Sequence, residues 1–378
     1  VVPWRESSVV GERLEFVRLA SSEGVSFTEL CRRFGVSRQC GYVWLRRYRE
    51  EGTAGLVDRS RRPLQSPNRT SLEVEAAVVA VRVEHPRWGG RKISRVLQRT
   101  GLVPAPAPST VTGILRRYGL LAPSREPRAY RRFERDAPNE LWQMDFKGWF
   151  RLSDGARCHP FGLLDDYSRF NLRLGACLNQ RTGTVTEHLT AAFRVYGLPE
   201  RILCDNGAPW GNTTGQPWTP LTVWLLDLGV GVVHSRPYHP QTGGKEERFH
   251  LTLDWEVIST RPQWADQATV QAAFDQWRNV YNHQRPHDSL NLEVPADRYQ
   301  PSPRPYPRII EPVDYPPGAI VRKVDANGRF SYRNQIHRIS KAFAGRHIEI
   351  RPTTIDGCYH IHYRHHHIRT IEPATTTP

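Results

Sequence analysis

Three strand-like runs follow one another between residues 141 and 178: LWQMDFKGWF (141–150), CHPFGLLDDYSRF (158–170) and NLRLGACL (171–178). The pattern then changes to alternation. A helix over RTGTVTEHLTAAFRVYG (181–197) precedes a short buried strand, RILCD (201–205). A helix over TPLTVWLLDLG (219–229), a strand at VGVVHS (230–235) and a helix over 243–258 complete the series. Strands first and alternation afterwards restrict this part of the chain to a mixed sheet covered on its faces by helices. A further helix spans about 266–283 and ends in YNHQRPHDSL.

The flanks have other textures. Residues 9–50 read as three short helices, and SFTELCRRFGVSRQCGYVWLRRYRE (26–50) has the pattern of a helix-turn-helix. Ser26 is placed to cap a helix carrying Leu30 and Phe34, Gly35 ends it, and Ser37 caps a second helix with Val43, Trp44 and Tyr48 on its apolar side. Such a second helix enters the major groove by its N-terminal residues, which makes Arg38, Gln39 and Arg46 the expected DNA-facing side chains. A basic linker (55–69) leads to a second three-helix unit over 71–121, with Ser109 expected to cap its third helix. Arg91 and Lys92 of GGRKISRVLQRTG are expected to face DNA. Residues 123–138 are a Pro-bounded, Arg-rich linker, and the Pro-rich stretch 301–318 cannot be regular structure. Six alternating runs over 319–372 suggest a small β-barrel. The chain is thus read as multidomain α+β. Tandem helix-turn-helix units occupy 1–60 and 70–122, a mixed α/β core 138–300 and a small β-barrel 318–373.

The charge supports this division. Residues 1–138 carry 26 Lys and Arg against 14 Asp and Glu, whereas the remaining 240 carry 27 against 24. An Arg excess confined to the N-terminal third predicts a polyanionic partner, most simply double-stranded DNA. Six scattered cysteines with no C-x-x-C argue against a zinc finger and a disulfide framework. They fit small buried hydrophobes of a reducing compartment, and a cytoplasmic, nucleoid-associated protein is expected. No run of about 18 apolar residues exists, so no membrane span is expected. The N-terminus VVPWRESSVV lacks the basic and apolar regions of a signal peptide, and it begins with Val, which need not be the natural initiator.

Three carboxylate positions stand where strand or helix geometry presents them at a sheet edge. Asp145 lies in the first strand, Asp205 ends a strand at Asn206-Gly207, and the pair Glu246-Glu247 opens a helix behind Gly243-Gly244. Converging acids repel unless a cation compensates. Oxygen-only donors favour Mg²⁺ or Mn²⁺, and two such ions would support in-line phosphoryl transfer on a DNA phosphodiester. Each position also has an ordinary reading: Asp-Asn-Gly is a good turn, and glutamates suit a first helical turn through the helix dipole. Helical periodicity does not choose between the glutamates. Glu246 shares a face with Phe249, Leu253 and Val257, and Glu247 with Leu251, Trp255 and Ile258. The helix is therefore expected to be buried on two sides.

The motifs LWQMDFKG, LLDDYSRF, LCDNG, RPYHPQTGGKEERFH and YNHQRPHDSL resemble those of insertion-sequence transposases with the retroviral-integrase-type DDE core. The N-terminal PW-x-E, DRSRRP, HPRWGGRKI and PAPSTVTGILRRYGL are similar to one subgroup of them, so the resemblance covers nearly the whole chain. It implies an RNase H-like core, two Mg²⁺ or Mn²⁺ ions, and catalytic ligands at Asp145, Asp205 and one glutamate. The family pattern G-K-x-E-R, matched by Gly244 to Arg248, assigns that role to Glu247 and leaves Glu246 in the variable place. Asp145 would bridge both ions, with Asp205 on one and Glu247 on the other. The separation of 60 residues between the aspartates suits such a core, and the insertion-like GAPWGNTTGQPWTP (207–220) lengthens the step to the glutamates. The resemblance further implies binding of terminal inverted repeats, hydrolysis to a 3′-OH, joining to target DNA, and at least a homodimer on DNA.

Lys245 and Arg248 beside the glutamates are expected to touch DNA. His239 and Gln241 suit either that role or loop shaping. Asp165 and Asp166 are read as part of the second strand and its turn. His360, His362, His365, His366 and His367 alternate on a β pattern without cysteine and are read as a surface cluster. The N-terminal His/Cys zinc module of retroviral integrases is not seen. Two rival readings stand beside the transposase: a catalytically silent DNA-binding regulator, which predicts loss of a carboxylate, and a nuclease that only hydrolyses, which needs no tandem DNA-binding units.

Overall fold

The computed structural model describes residues 8–22, 24–60, 70–121, 134–211, 218–234 and 244–372. The expectations for His239, Gln241, the PW-x-E segment and most of both Arg-rich linkers fall outside these residues. The chain divides into two compact units, Val1–Thr70 and Ser71–Pro378.

The first unit contains α1 (Val9–Ala20), α2 (Phe27–Arg33) and α3 (Arg38–Glu51) around Phe16, Val17, Leu30, Cys31, Leu45 and Leu56. Gly35 ends α2 with φ +67, a left-handed value that suits glycine. The Ser37 hydroxyl accepts from the Cys40 N–H at 3.2 Å and caps α3. Ser26 occupies the N-cap of α2 but makes no side-chain cap bond. Val43, Trp44 and Tyr48 are half-buried; Trp44 and Tyr48 pack against the core beside the fully buried Gly41 and Leu45, whereas Val43 is not part of it. A side chain at 41 would press on Phe16 and Cys31, so glycine there lets the helices approach closely.

The second unit begins with α4 (Leu72–Glu84), α5 (Gly90–Arg99) and α6 (Pro108–Arg117), packed on Val78, Trp88, Ile93, Val111 and Ile114. Ser109 does not cap α6. Ala107 takes the cap position and Pro108 the first turn, where its missing N–H costs nothing.

The sheet contains β1 (Trp142–Phe146), β3 (Arg157–Asp165), β4 (Asn171–Cys177), β5 (Arg201–Cys204) and β6 (Gly231–His234), in the order β4-β3-β1-β5-β6. A two-residue β2 (Phe150–Arg151) extends it beside β3. The first three strands are antiparallel, and β5 and β6 run parallel to β1. Alternate residues serve opposite faces. Trp142, Met144, Phe161 and Leu163 pack with α7 (Thr182–Tyr196) and α8 (Pro220–Asp227). Leu164, Leu174 and Ala176 pack with α9 (Gly244–Glu256) and α10 (Gln267–His283). The edge of β4 is covered: the Gln271 amide accepts from the Ala176 N–H at 2.8 Å, and Asn282 exchanges two bonds with the Asn171 backbone at 2.8 and 2.9 Å. Covering an edge with side-chain amides removes a template for strand addition.

All six C-terminal runs form strands, β7 (Ile320–Lys323), β8 (Arg329–Tyr332), β9 (Gln335–Arg338), β10 (His347–Pro352), β11 (Tyr359–Tyr363) and β12 (His366–Ile371). They do not close into the expected barrel. They make an open four-stranded sheet, β12-β11-β10-β7, and a separate β8-β9 hairpin. Closure is replaced by a shared core in which Val223 and Leu226 of α8 pack against Phe330, Phe343, Ile348 and Ile361. Asp227 of α8, 7% exposed, accepts from Arg346 at 2.7 Å and from the Tyr363 hydroxyl. The Pro-rich stretch is irregular, as its composition requires, and Arg304 within it donates to the carbonyls of Pro199, Leu228 and Gly229.

Candidate active site

Parallel pairing of β1 with β5 brings the C-terminal ends of those strands side by side, and these ends carry Asp145 and Asp205. Asp145 pairs in register with Gly162 of β3. A Cβ added there would lie 3.2 Å from the Phe249 ring, 3.4 Å from Glu246 Oε2 and 3.5 Å from His250 Nε2. Glycine at 162 thus allows the first turn of α9 to sit on the sheet beside Asp145.

Each aspartate has one oxygen held by the chain. The Phe146 N–H donates to Asp145 Oδ1 at 2.8 Å. The Gly207 N–H donates to Asp205 Oδ1 at 2.8 Å, and the Trp210 indole N–H donates to the same oxygen. Burial, with the charges of Asp205 and Glu247, pushes the Asp145 carboxyl up from 3.8 to about 6, against the opposing Phe146 N–H bond.

The two glutamates have opposite surroundings. Glu246 is 4% exposed, and neither of its carboxyl oxygens has a hydrogen-bond partner. Burial first, and the Asp145 charge second, hold it well above its ordinary 4.5. His250 lies between the acids, its Nε2 3.7 Å from Glu246 and its Nδ1 3.8 Å from Asp145, and burial lowers it to about 4. Glu247 is exposed. The expectation that α9 is buried on two sides is corrected. The face of Glu246, Phe249, Leu253 and Val257 is buried, while on the Glu247 face Leu251 is 37% exposed, Trp255 is half-buried and Ile258, just past the helix, is buried.

The carboxylates here are oxygen donors that repel one another, with the His250 nitrogen 3.8 Å from Asp145 Oδ2, and each aspartate has its Oδ1 held by chain N–H groups. That chemistry fits a hard divalent ion. Among the described residues no three His, Cys, Asp or Glu side chains stand close enough to hold a metal as they are, at this site or among the histidines of β11 and β12. In the latter group the His360 and His367 rings are 5.0 Å apart.

Other expected residues are placed differently. Arg38, Gln39 and Arg46 are exposed on α3, and Arg248 is exposed on α9. Lys245 instead turns inward, its Nζ 2.5 Å from Asp166 Oδ1, with side-chain exposures of 14% and 0%. Burial and the nearby Arg169 lower its pKa to about 8 despite that partner. Arg91 pairs with Asp288 of the core at 3.0 Å, and Lys92 lies 4.0 Å from the same carboxylate, lowered to about 7 by burial and Arg285. Asp165 accepts from the Asn139 N–H, the Ser168 N–H and the Ser168 hydroxyl, which accounts for it as a turn residue. Trp210 and His250 escaped the sequence reading. The available signals were a tryptophan five residues after Asp205 and a histidine one helical turn after Glu246.

No helix among the described residues is long and apolar enough to cross a membrane. The chain matches a homeodomain-like domain over residues 40–115 and a helix-turn-helix domain over 12–63. It matches an integrase core domain over 135–240 and again over 228–295, and the C-terminal domain of IS481 family transposases over 319–378. An uncharacterized 31.7 kDa protein of insertion element IS407 from Burkholderia multivorans is 25% identical over 258 residues, 66% of this chain and 89% of that protein. A 39.2 kDa protein of insertion element IS476 from Xanthomonas euvesicatoria is 24% identical over 42% of this chain and 44% of its own length. The Gag-Pro-Pol polyprotein of Mason-Pfizer monkey virus is 27% identical over 39% of this chain, which spans only 8% of the polyprotein. A solved magnesium complex of the HTLV-2 integrase catalytic core is 12% identical and covers 44% of this chain and 99% of its own, with a TM-score of 0.33.

Proposed function

We propose that the chain is an insertion-sequence transposase with an integrase-type core, which joins the ends of its own element to target DNA at Asp145, Asp205 and Glu247. The observation that carries this reading is the crowding of acids at one sheet edge, where the charges of Asp205 and Glu247 add to burial in lifting Asp145 to about 6. Carboxylates on adjacent strand ends that raise one another in this way are stabilised by a cation. Asp145, Asp205 and Glu247 would together hold divalent Mg²⁺ or Mn²⁺, with Asp145 the acid that feels both of the others. When bound, such ions activate the attacking oxygen and stabilise the leaving oxygen of a phosphodiester.

The chain's own residues supply the rest. The Phe146, Gly207 and Trp210 N–H groups each hold one carboxylate oxygen, which orients the other. Exposed Arg38, Gln39 and Arg46 on α3 would read the terminal inverted repeat, and exposed Arg248 would hold a phosphate near the site. Two displacements follow. Water attacks a phosphodiester at the element end and frees a 3′-OH. That hydroxyl then attacks a phosphodiester of the target, forming the new bond and releasing the target's own 3′-OH. Two ends must be handled together, so the working form is at least a dimer on DNA.

Incubation with Mg²⁺ and DNA carrying the element's ends tests this. Joined products that vanish in Asp145→Ala support it. Cleavage without joining supports a nuclease instead, and DNA binding alone, unchanged by Asp145→Ala, refutes both enzymatic readings.

A further inference from the structure

We infer that Trp210 is a positioning residue for the carboxylate pair, fixing Asp205 through its indole N–H and linking it to Asp145 through Phe146. This rests on the reading of Asp205 as a metal ligand.

Trp210 is 2% exposed and packs in the core under the sheet edge. A buried indole N–H needs an acceptor. It finds one in Asp205 Oδ1, a residue otherwise exposed at the end of β5. The Gly207 N–H bonds the same oxygen at 2.8 Å. Two donors on Oδ1 fix the plane of the carboxylate and leave Oδ2 as its cation-facing oxygen. Charge-assisted bonds of this kind are the strong ones, and they act here against repulsion from Asp145, which would otherwise turn the two carboxylates apart.

The connecting turn is built to return residue 210 to residue 205. The Gly211 N–H donates to the Gly207 carbonyl at 2.6 Å, and a Cβ at 211 would run into the Asn206 carbonyl. A Cβ at 207 would stand 3.2 Å from Asp205 Oδ1. Both glycines therefore make room for a tight loop closed on the carboxylate. The Trp210 ring also stacks on Phe146, with centroids 5.6 Å apart and planes at 16°. Phe146 is the residue whose N–H holds Asp145 Oδ1 at 2.8 Å. One buried ring thus bonds Asp205 directly and packs on the residue whose N–H holds Asp145. A phenylalanine at 210 would keep the stack and lose the donor.

Three readouts on the full chain test this: Mn²⁺ binding by calorimetry, the Mn²⁺ concentration for half-maximal strand joining, and the thermal midpoint without metal. Trp210→Phe should weaken Mn²⁺ binding by about 10-fold and raise the Mn²⁺ requirement in proportion, as loss of an outer hydrogen bond to a ligand does. Site-specific replacement of Trp210 by benzothienylalanine, which keeps the bicyclic shape and has sulfur for the N–H, should give the same shift if the phenylalanine variant folds poorly. Wild-type Mn²⁺ affinity and requirement in either folded variant would overturn the role of Trp210. Asp205→Asn separates the two ideas. Loss of Mn²⁺ binding in Asp205→Asn beside unchanged Trp210→Phe sinks only the positioning role, and unchanged binding in Asp205→Asn sinks the metal site and the inference together.

Discussion

The acids of this site are held in two different ways. Asp145 and Asp205 stand on neighbouring strands whose register fixes their spacing, and each has an oxygen tied to a nearby N–H. Glu246 and Glu247 stand on the first turn of a helix, where adjacent positions are about 100° apart and face different surroundings. One is buried with no hydrogen-bond partner and the other is exposed. A sheet edge places a carboxylate by backbone geometry alone, whereas a helix start leaves the choice to whatever packs against it.

The strand-held acids should be the least replaceable. Asp145→Asn and Asp205→Asn should each lower strand joining by roughly three orders of magnitude or more, the scale on which a lost transition-state stabiliser is felt. Substantial joining by either variant would break the comparison at its firmer end. Asp145→Asn should also stabilise the metal-free protein. Because the folded carboxyl is raised from 3.8 to about 6, wild-type stability is fully present below the lower value and is lost as pH rises through the upper one. Thermal scans should therefore show a gain for the variant at pH 8 and little at pH 3, and added Mg²⁺ should stabilise the wild type but not the variant.

At the helix start, Lys245→Ala should act first on stability. It removes one partner of a buried ion pair with Asp166, a loss of about 3–5 kcal/mol. Denaturant titration measures it, and an unchanged midpoint with weakened DNA binding would return Lys245 to the DNA-facing set. A smaller gain is expected for Glu246→Gln. Its carboxyl is raised on folding, so its burden grows as pH climbs above the ordinary value of 4.5. The variant should melt higher than wild type at pH 8 and nearly with it at pH 4. The smallest effect belongs to the surface of α3. Arg38→Ala should weaken binding to the element's ends and make the salt dependence shallower by about one unit of slope.

What the sequence disclosed follows the same division. The core strands, their order of appearance, and the placing of both aspartates at strand ends were readable because short apolar runs closed by turn residues are local signals. The six C-terminal runs were readable from their period-two alternation. Their failure to close was not, because it depends on α8 lending Val223 and Leu226 to their core. The inward turn of Lys245 depends on Asp166, 79 residues away. The partly buried Lys92 and paired Arg91 depend on Asp288. In each case a cation judged free by its neighbours in sequence met a carboxylate supplied by tertiary structure. Trp210 was hidden similarly: its place in an insertion-like stretch disguised a loop that closes back on Asp205.

The most direct test of the central claim compares Glu247→Gln with Glu246→Gln in a Mg²⁺-dependent strand-joining assay on the element's own ends. Loss of joined product in Glu247→Gln, with substantial product retained in Glu246→Gln, is the outcome expected of an exposed ligand beside a buried neighbour. The reverse pattern would contradict it and would make the buried carboxyl of Glu246 the third acid of the site.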